Sequence, residues 1–211
     1  EALVNCGMGA EHDMTVETSK AYIRQFAEMG GEIFTVDAGW ECPPDEENKW
    51  GEYNGINVPN PDRYPHGIEE VRDYCHSKGM KFGLWIEPEM INPDSDLYRA
   101  HPDWVLTDRF PTIYGRHQLL LDLTKPEVRD YSVSSITDIL DNANISYVKW
   151  DMNRHSIALG AKAHRYILGL YEVLGRIFGP RPEILLESCS SGGNRFDLGM
   201  IRFSPQVWSS D

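Results

Sequence analysis

Apolar and polar positions alternate along the chain in a way that predicts strands separated by helices. Short apolar runs predict strands at residues 2–6, 32–37, 81–87, 119–123, 145–151, 183–188 and 206–209. Apolar residues recur at helical spacing over residues 16–29, 67–78, 126–142 and 161–177. Because strands alternate with helices, the pattern predicts βα units and a parallel sheet, with 119–123 as an extra segment before the fourth strand.

Acidic residues occur where the predicted strands end: Asp37, Glu87, Asp151, Glu187 and Asp211. In a (β/α)8 barrel the carboxyl ends of the strands open onto one face, where active sites lie. A doubly wound sheet also places its site at strand ends, but it usually carries a glycine-rich phosphate loop after the first strand. Residues 5–12, NCGMGAEH, match that loop poorly. We therefore predict an α/β fold of the TIM-barrel type.

Composition and charge exclude several classes of partner. The net charge of −13 argues against binding to nucleic acid or to an anionic membrane, because both require Lys/Arg patches. No apolar run approaches the roughly 20 residues that a membrane-spanning helix needs. The cysteines Cys6, Cys42, Cys75 and Cys189 form no CxxC pair, which favours reduced thiols in the cytoplasm over a zinc or redox site.

Two strand-end carboxylates that face one pocket are the catalytic groups that a glycoside hydrolase uses. Asp151 follows the predicted strand segment YVKW at 147–150, and Asp211 follows the segment QVWSS. The alternative is that each aspartate caps a helix or forms an ion pair, as most loop aspartates do. Trp150 and Trp208 stand near these acids, and aromatic rings stack on the flat C–H faces of sugars. The presence of a tryptophan near each acid therefore favours a site that acts on a carbohydrate.

Four segments, in this order, resemble the α-galactosidases of glycoside hydrolase family 36. They are GLWIEPEMI at 83–91, YVKWDMNRH at 147–155, ESCSSGGNRFDLGM at 187–200 and SPQVWSSD at 204–211. The resemblance implies a retaining mechanism in which Asp151 is the nucleophile and Asp211 is the general acid and base. It also implies a substrate-binding set: Asp37, Trp85, Arg116, Lys149, Asn153, Cys189 and Gly192.

The resemblance further implies an α-galactoside oligosaccharide as substrate, no metal or organic cofactor, and a homo-oligomer such as a tetramer for the full-length protein. Family members carry a β-sandwich before the barrel and a small β-domain after it, and we expect neither domain within residues 1–211. The number of predicted strands, with 119–123 set apart, leads us to expect about the first six of eight βα units. Rival activities on the same mechanism are an α-N-acetylgalactosaminidase and a galactosyl transferase of the raffinose-synthase kind. A non-catalytic carbohydrate-binding module is the rival from another class. It would need neither acid.

The chain departs from the family pattern at several positions. Ala38 stands where the family often has a second aspartate beside Asp37, and Ser191 and Asn194 stand where many members have glycine. The segment between residues 154 and 164 is about ten residues shorter than the family pattern, at a loop, where length varies most. These departures leave the two predicted catalytic acids intact and leave the exact substrate open.

Overall fold

The strand segments form a parallel sheet, and residues 33–36, 82–86 and 147–150 of its central strands are buried on both faces, as is typical of βα folds. The computed structural model describes residues 4–5, 14–42, 57–106, 117–154 and 157–210. The strands are β1 (Val4–Asn5), β2 (Ile33–Val36), β3 (Lys81–Ile86), β4 (Met90–Ile91), β5 (Leu119–Leu120), β6 (Tyr147–Trp150), β7 (Leu185–Ser188) and β8 (Gln206–Val207).

The main sheet has six strands in the order β1-β2-β3-β6-β7-β8, and all neighbours are parallel. Each strand therefore pairs with the next main-sheet strand in the chain, and the order never reverses. A doubly wound sheet would show a reversal at its switch point. The predicted TIM-type α/β fold is confirmed, and the sheet corresponds to part of such a barrel.

The segment that the sequence pattern set apart does lie outside the main sheet. Strand β5 pairs antiparallel with β4, with Met90 opposite Leu120 and Ile91 opposite Leu119. Both strands are buried, so their apolar residues add to the core without joining the parallel sheet.

Helices connect the strands as the periodic pattern predicted. They are α1 (Val16–Glu28), α2 (Glu69–Ser77), α3 (Asp96–Ala100), α4 (Pro126–Ala143), α5 (Ala163–Phe178) and α6 (Leu198–Ile201). The pattern did not predict α3 and α6, because helices this short show too little periodicity. Of the helices within the described ranges, none combines the length and the apolar character needed to cross a membrane.

Local signals set the ends of the helices. Thr15 caps α1 by accepting a hydrogen bond from the backbone N–H of Thr18. Helix α4 begins with Pro126, whose fixed φ suits the first helical turn. It ends at Asn144, which adopts the left-handed conformation (φ 46°) that asparagine tolerates better than most residues. The chain then turns directly into β6.

The two faces of the sheet differ in chemistry because successive residues of a strand point to opposite sides. On the face that packs under the helices, Phe34, Leu84, Val148 and Leu186 belong to one buried apolar core. This core joins the sheet to the helices and holds the strand ends in place.

The opposite face carries a row of polar positions. The register places Trp85 beside Lys149, Lys149 beside Glu187, and Glu187 beside Gln206. Lys149 and Glu187 are almost fully buried, at 2% exposure each. Charged side chains are rarely buried without partners, so this row marks the part of the fold where function is expected.

Two glycines of α5 provide a test of this packing. A Cβ atom added to Gly169 would overlap the backbone carbonyl oxygen of Leu123, whereas one added to Gly175 would lie 3.6 Å from the ring of Phe203, an ordinary contact. We expect Gly169→Ala to lower stability by about 1–3 kcal/mol through overpacking. We expect Gly175→Ala to leave stability unchanged or raise it by about 0.5–1 kcal/mol, because alanine favours helix.

The measurement is thermal unfolding of the two variants of the full-length protein, followed by circular dichroism. Equal melting temperatures for the two variants would contradict the close contact between α5 and the segment that follows β5.

Candidate active site

The ends of the central strands bring the predicted site residues to one place. Asp37 follows β2, Asp151 follows β6 and Cys189 follows β7, while Trp85 and Lys149 lie side by side on β3 and β6. Because Lys149 and Asp151 are two residues apart on an extended strand end, they lie on the same side of the sheet. All five residues are buried.

Three donors orient the carboxylate of Asp151. Its Oδ2 accepts a hydrogen bond from the indole Nε1 of Trp85 at 3.0 Å and from the amide Nδ2 of Asn153 at 2.7 Å. Its Oδ1 accepts from the backbone N–H of Met152 at 2.8 Å. Donors from β3 and from the segment after β6 thus hold both oxygens in a defined orientation, as a nucleophilic carboxylate requires.

A buried ion pair lies beside this carboxylate. The ammonium of Lys149 is 3.0 Å from Oδ2 of Asp37, and the two side chains are only 2% and 5% exposed. The same ammonium lies 4.1 Å from the centre of the Trp208 ring, close enough for a cation–π interaction. Ala38 is also buried and donates its backbone N–H to Oδ1 of Asp37 at 2.8 Å. The pair offers a charged donor and a charged acceptor to a polar ligand.

Cys189 is a thiol in this site and is unsuited to act as a nucleophile. Its backbone N–H donates to the carbonyl oxygen of Trp150 at 2.9 Å, which fixes the loop after β7 against β6. Burial, followed by the negative charge of Asp151, raises the pKa of the Cys189 thiol well above its usual range. The reactive thiolate is therefore scarce at neutral pH.

The loop that continues from Cys189 contains a backbone conformation that usually requires glycine. Ser191 has φ 44° and Gly192 has φ 82°, both in the left-handed region. Ser191 donates its backbone N–H and its hydroxyl to Oδ1 of Asn153, each at 3.0 Å. These two bonds offset the strain that a serine, unlike a glycine, meets in this conformation.

Glu87 positions Asn153 through a hydrogen bond to the backbone of that residue. Its Oε1 accepts the backbone N–H of Asn153 at 2.7 Å, and its Oε2 accepts from the amide of Gln118 at 3.3 Å. Asn153 is thereby held by Glu87 through its backbone, and by Asp151 and Ser191 through its side chain. The strand-end acid Glu187 instead accepts from Gln206 at 2.7 Å, on the row of polar positions described above.

The expectation that Trp150 presents aromatic surface to a sugar was wrong. Trp150 is 1% exposed, and its ring packs edge-on against Phe178 of α5 at 6.2 Å between ring centres. The reason is strand alternation, which turns Trp150 to the helix face when Asp151 and Lys149 occupy the other face. Trp85 is the tryptophan that contacts Asp151.

Glu89 forms a buried cluster that sequence reasoning missed. Its carboxylate accepts from Nε1 of Trp150 at 2.9 Å, from the hydroxyl of Tyr166 at 2.7 Å and from Nη1 of Arg195 at 2.6 Å. Burial, together with the Glu89 charge, raises the pKa of Tyr166 well above its usual range. Burial alone would lower the pKa of Arg195, but the Glu89 carboxylate raises it. The segment EPEM does not indicate this role for Glu89, because only the tertiary fold brings the three donors together.

Two predicted residues lie outside the described part of the chain: Asp211, the expected acid and base, and Arg116 of the expected substrate-binding set. Gly192, by contrast, is described, and its carbonyl oxygen accepts the backbone N–H of Ser190 at 2.8 Å. Within the described ranges, no three His, Cys, Asp or Glu side chains are grouped so that they could hold a metal ion.

Comparison with known sequences identifies the family of the chain. The melibiase family model matches residues 2–211. The probable α-galactosidase C of Aspergillus terreus is 41% identical over 218 residues, which cover 97% of this chain and 29% of the relative. The α-galactosidase AgaA of Geobacillus stearothermophilus is 40% identical over 99% of this chain and 30% of its own length. The chain thus spans less than a third of these relatives.

Solved structures give the same picture. The crystal structure of the AgaA enzyme aligns over 100% of this chain and 30% of its own chain, with a TM-score of 0.88 and 39% sequence identity. The α-galactosidase from Lactobacillus brevis aligns with a TM-score of 0.88 and 37% identity, covering 29% of that chain. The fold and the family match agree, and the chain belongs to the melibiase family.

Proposed function

We propose that the protein is a retaining α-galactosidase and that the described site binds the terminal galactose. The observation that carries the proposal is the carboxylate of Asp151, which Trp85, Asn153 and Met152 orient beside the buried pair of Lys149 and Asp37. Family membership and the names of the relatives support the same activity. A non-catalytic sugar-binding module would have no need for an oriented buried carboxylate.

In the proposed first step, Asp151 attacks the anomeric carbon and Asp211 gives a proton to the departing oxygen. In the second step, Asp211 takes a proton from water, and the water attacks the same face that the leaving group vacated, so the anomeric configuration is retained. The segment that leads to Asp211 runs beside the site, because Trp208 donates its backbone N–H to the carbonyl of Ser188 and its ring lies at Lys149.

Lys149 and Asp37 are proposed to hold hydroxyl groups of the galactose. A hydroxyl can donate to a carboxylate and accept from an ammonium, and such charge-assisted hydrogen bonds are shorter and stronger than neutral ones. The two groups face each other at 3.0 Å. As positive charge develops at the anomeric carbon, the buried carboxylates stabilise it in a site with little water.

We further propose that the natural substrates are oligosaccharides with a terminal α-galactose. Variants of the AgaA enzyme have been solved in complex with stachyose and with raffinose. An α-N-acetylgalactosaminidase differs in the group that it accepts at C2 of the sugar, so values of kcat/KM on p-nitrophenyl α-galactoside and on its N-acetylgalactosamine analogue distinguish it. A galactosyl transferase differs in its acceptor, so product analysis with galactosyl acceptors distinguishes it.

The first prediction from the proposed function concerns the nucleophile. We expect Asp151→Ala in the full-length protein to lower kcat on the order of 10⁴-fold or more, because no other described group is placed to form the glycosyl-enzyme. Azide should restore part of the activity and give the β-configured galactosyl azide, since it attacks from the vacated face. NMR of the product identifies the anomer.

Two matched variants control this experiment. Asp211→Ala should spare p-nitrophenyl α-galactoside relative to raffinose, and azide should then give the α-configured product. Asp141→Ala should leave kcat unchanged, because Asp141 pairs with Arg181 where the strands begin and is exposed. Exchange of the two azide anomers between the Asp151 and Asp211 variants would reverse the assigned roles.

The second prediction concerns the ion pair. Asp37→Ala should lower kcat/KM on α-galactosides by roughly ten- to more than a hundred-fold, because a hydrogen bond to a charged group contributes about 1.5–3 kcal/mol. Asp37→Asn keeps a neutral acceptor and should fall between the wild type and Asp37→Ala. Both variants should also lower the melting temperature, since a buried Lys149 loses its counter-charge.

The kinetic part of this prediction is measured at a temperature at which both variants are folded, as checked by circular dichroism. An unchanged kcat/KM in folded Asp37→Ala protein would remove Asp37 from the galactose site.

A further inference from the structure

The carboxylate of Glu89 holds the residue that precedes the proposed nucleophile. Its Oε1 accepts a hydrogen bond from the indole Nε1 of Trp150 at 2.9 Å. Glu89 and Trp150 are each 1% exposed, so bulk water does not compete for this bond. Trp150 is the last residue of β6, and Asp151 follows it directly. The main chain therefore enters Asp151 from a residue whose side chain Glu89 fixes.

Arg195 links the same carboxylate to the residue that follows the nucleophile. Its Nη1 lies 2.6 Å from Oε1 of Glu89 and donates to Sδ of Met152 at 3.1 Å. Met152 in turn donates its backbone N–H to Oδ1 of Asp151 at 2.8 Å. One oxygen, Oε1 of Glu89, thus accepts from two donors, and these two donors belong to or contact the two chain neighbours of Asp151.

The alternative is that Glu89 only stabilises the fold, as a buried carboxylate with good partners can do. Its second oxygen, Oε2, accepts from the hydroxyl of Tyr166 at 2.7 Å, and this bond leads to α5 rather than to the neighbours of Asp151. The contacts of Oε1 on both sides of Asp151 favour a role in placing the nucleophile. The two roles also predict different kinetics, which makes them separable.

The charge of Glu89 affects the nucleophile through Arg195. The side chain of Arg195 is 10% exposed, and Glu89 is its ion-pair partner among the described residues. Within the same residues, its Nε and Nη2 have no hydrogen-bond partner. Burial alone would lower the pKa of Arg195, but Glu89 and then, more weakly, Tyr166 and Asp151 raise it. The cation of Arg195 therefore interacts with Asp151, and Glu89 is the group that balances it.

Other charged or titratable side chains lie on the elements that pack against Asp151. In the described ranges they are Asp37 after β2, Glu87 after β3, Lys149 of β6, Arg154 after β6, Tyr166 of α5, Glu187 of β7 and Cys189 after β7. A substitution of Glu89 alters none of these residues. A change in the pH dependence of such a variant therefore reports the pair of Glu89 and Arg195.

We propose that Glu89 is a positioning residue for the nucleophile. It fixes Trp150 and Met152 on either side of Asp151, and it balances the Arg195 cation that Asp151 would otherwise meet alone. The inference rests on the proposed function, since Asp151 attacks a sugar only if the protein is a retaining glycosidase. Loss of the geometry should slow the attack without weakening sugar binding, and loss of the charge should change the pH at which the enzyme becomes active.

The first variant keeps the charge and changes the geometry. Glu89→Asp is shorter by a methylene group, so its carboxylate cannot hold Trp150 and Arg195 in their present places. In full-length protein we expect kcat on p-nitrophenyl α-galactoside to fall by at least about tenfold, because misplacement of a reacting group by about 1 Å can cost on the order of 10²-fold. KM should stay within about threefold of the wild type, since the bonds of Glu89 do not lead to Lys149 or Asp37.

The second variant keeps the geometry and removes the charge. Glu89→Gln retains an oxygen that accepts from Trp150, but it leaves the Arg195 cation without its counter-charge. A nearby unbalanced cation favours the ionised form of a carboxylate, so the acid limb of the kcat/KM profile should move to lower pH by about half a pH unit or more. In Glu89→Asp the acid limb should stay at its wild-type position, because that variant still balances Arg195.

Asp122→Asn is the matched control. Asp122 is also 1% exposed and also pairs with a cation, Lys162, at 2.6 Å. That cation is 40% exposed, and the other side-chain bonds of Asp122 go to Thr124. We expect Asp122→Asn to lower the melting temperature through the loss of a buried charge partner. It should leave kcat and the acid limb at their wild-type values.

All variants are compared at a temperature at which circular dichroism shows them folded. Wild-type kcat in Glu89→Asp, an unmoved acid limb in Glu89→Gln, or the same changes in Asp122→Asn would overturn the inference. If Glu89→Gln fails to fold, Trp150→Phe removes the indole donor and leaves every charge in place. It must lower kcat with little change in KM, and an unchanged kcat would overturn the inference. A wild type that does not cleave p-nitrophenyl α-galactoside would instead overturn the proposed function, and this inference with it.

Discussion

The site depends on one buried ion pair, between Lys149 of β6 and Asp37 after β2. Removing two charges from water is costly, and their mutual attraction offsets that cost only with good geometry and with further hydrogen bonds to the remaining polar atoms. The sheet provides that geometry because β3 fixes the separation of β2 from β6 through a continuous parallel register. The pair in turn places a charged donor and acceptor beside Asp151. A fold that kept such a pair for stability alone would gain more from apolar residues.

The opposite face of the sheet explains how this polar face stays rigid. Glu89 ties Trp150, Tyr166 and Arg195 together, so β6, α5 and the loop after β7 share one buried anchor. Movement of any of these elements would leave a buried donor or the carboxylate without its partner, which costs free energy. Asp151 is thus held by its own hydrogen bonds on one side of the strand, and the Glu89 cluster holds the neighbouring Trp150 on the other.

Much of this arrangement could be predicted from the sequence. Alternating strands and helices predict the parallel order, and parallel strands bring their ends together, so Asp37 and Asp151 were expected to meet. The family resemblance added the Cys189 loop to this group. What could not be predicted were contacts between residues far apart in sequence. The Glu89 cluster and the burial of Trp150 depend on which side of the sheet the helices cover, and the motif around each residue does not record that.

The most direct test of the account is to trap the covalent intermediate. A fluorinated α-galactosyl donor that forms the glycosyl-enzyme faster than it is hydrolysed should label the full-length protein, and peptide mass spectrometry should locate the added galactosyl mass on Asp151. Because a retaining mechanism requires this ester, we expect one labelled carboxylate. Galactosyl mass on a different side chain, or turnover of α-galactosides with inverted product and no label, would contradict it.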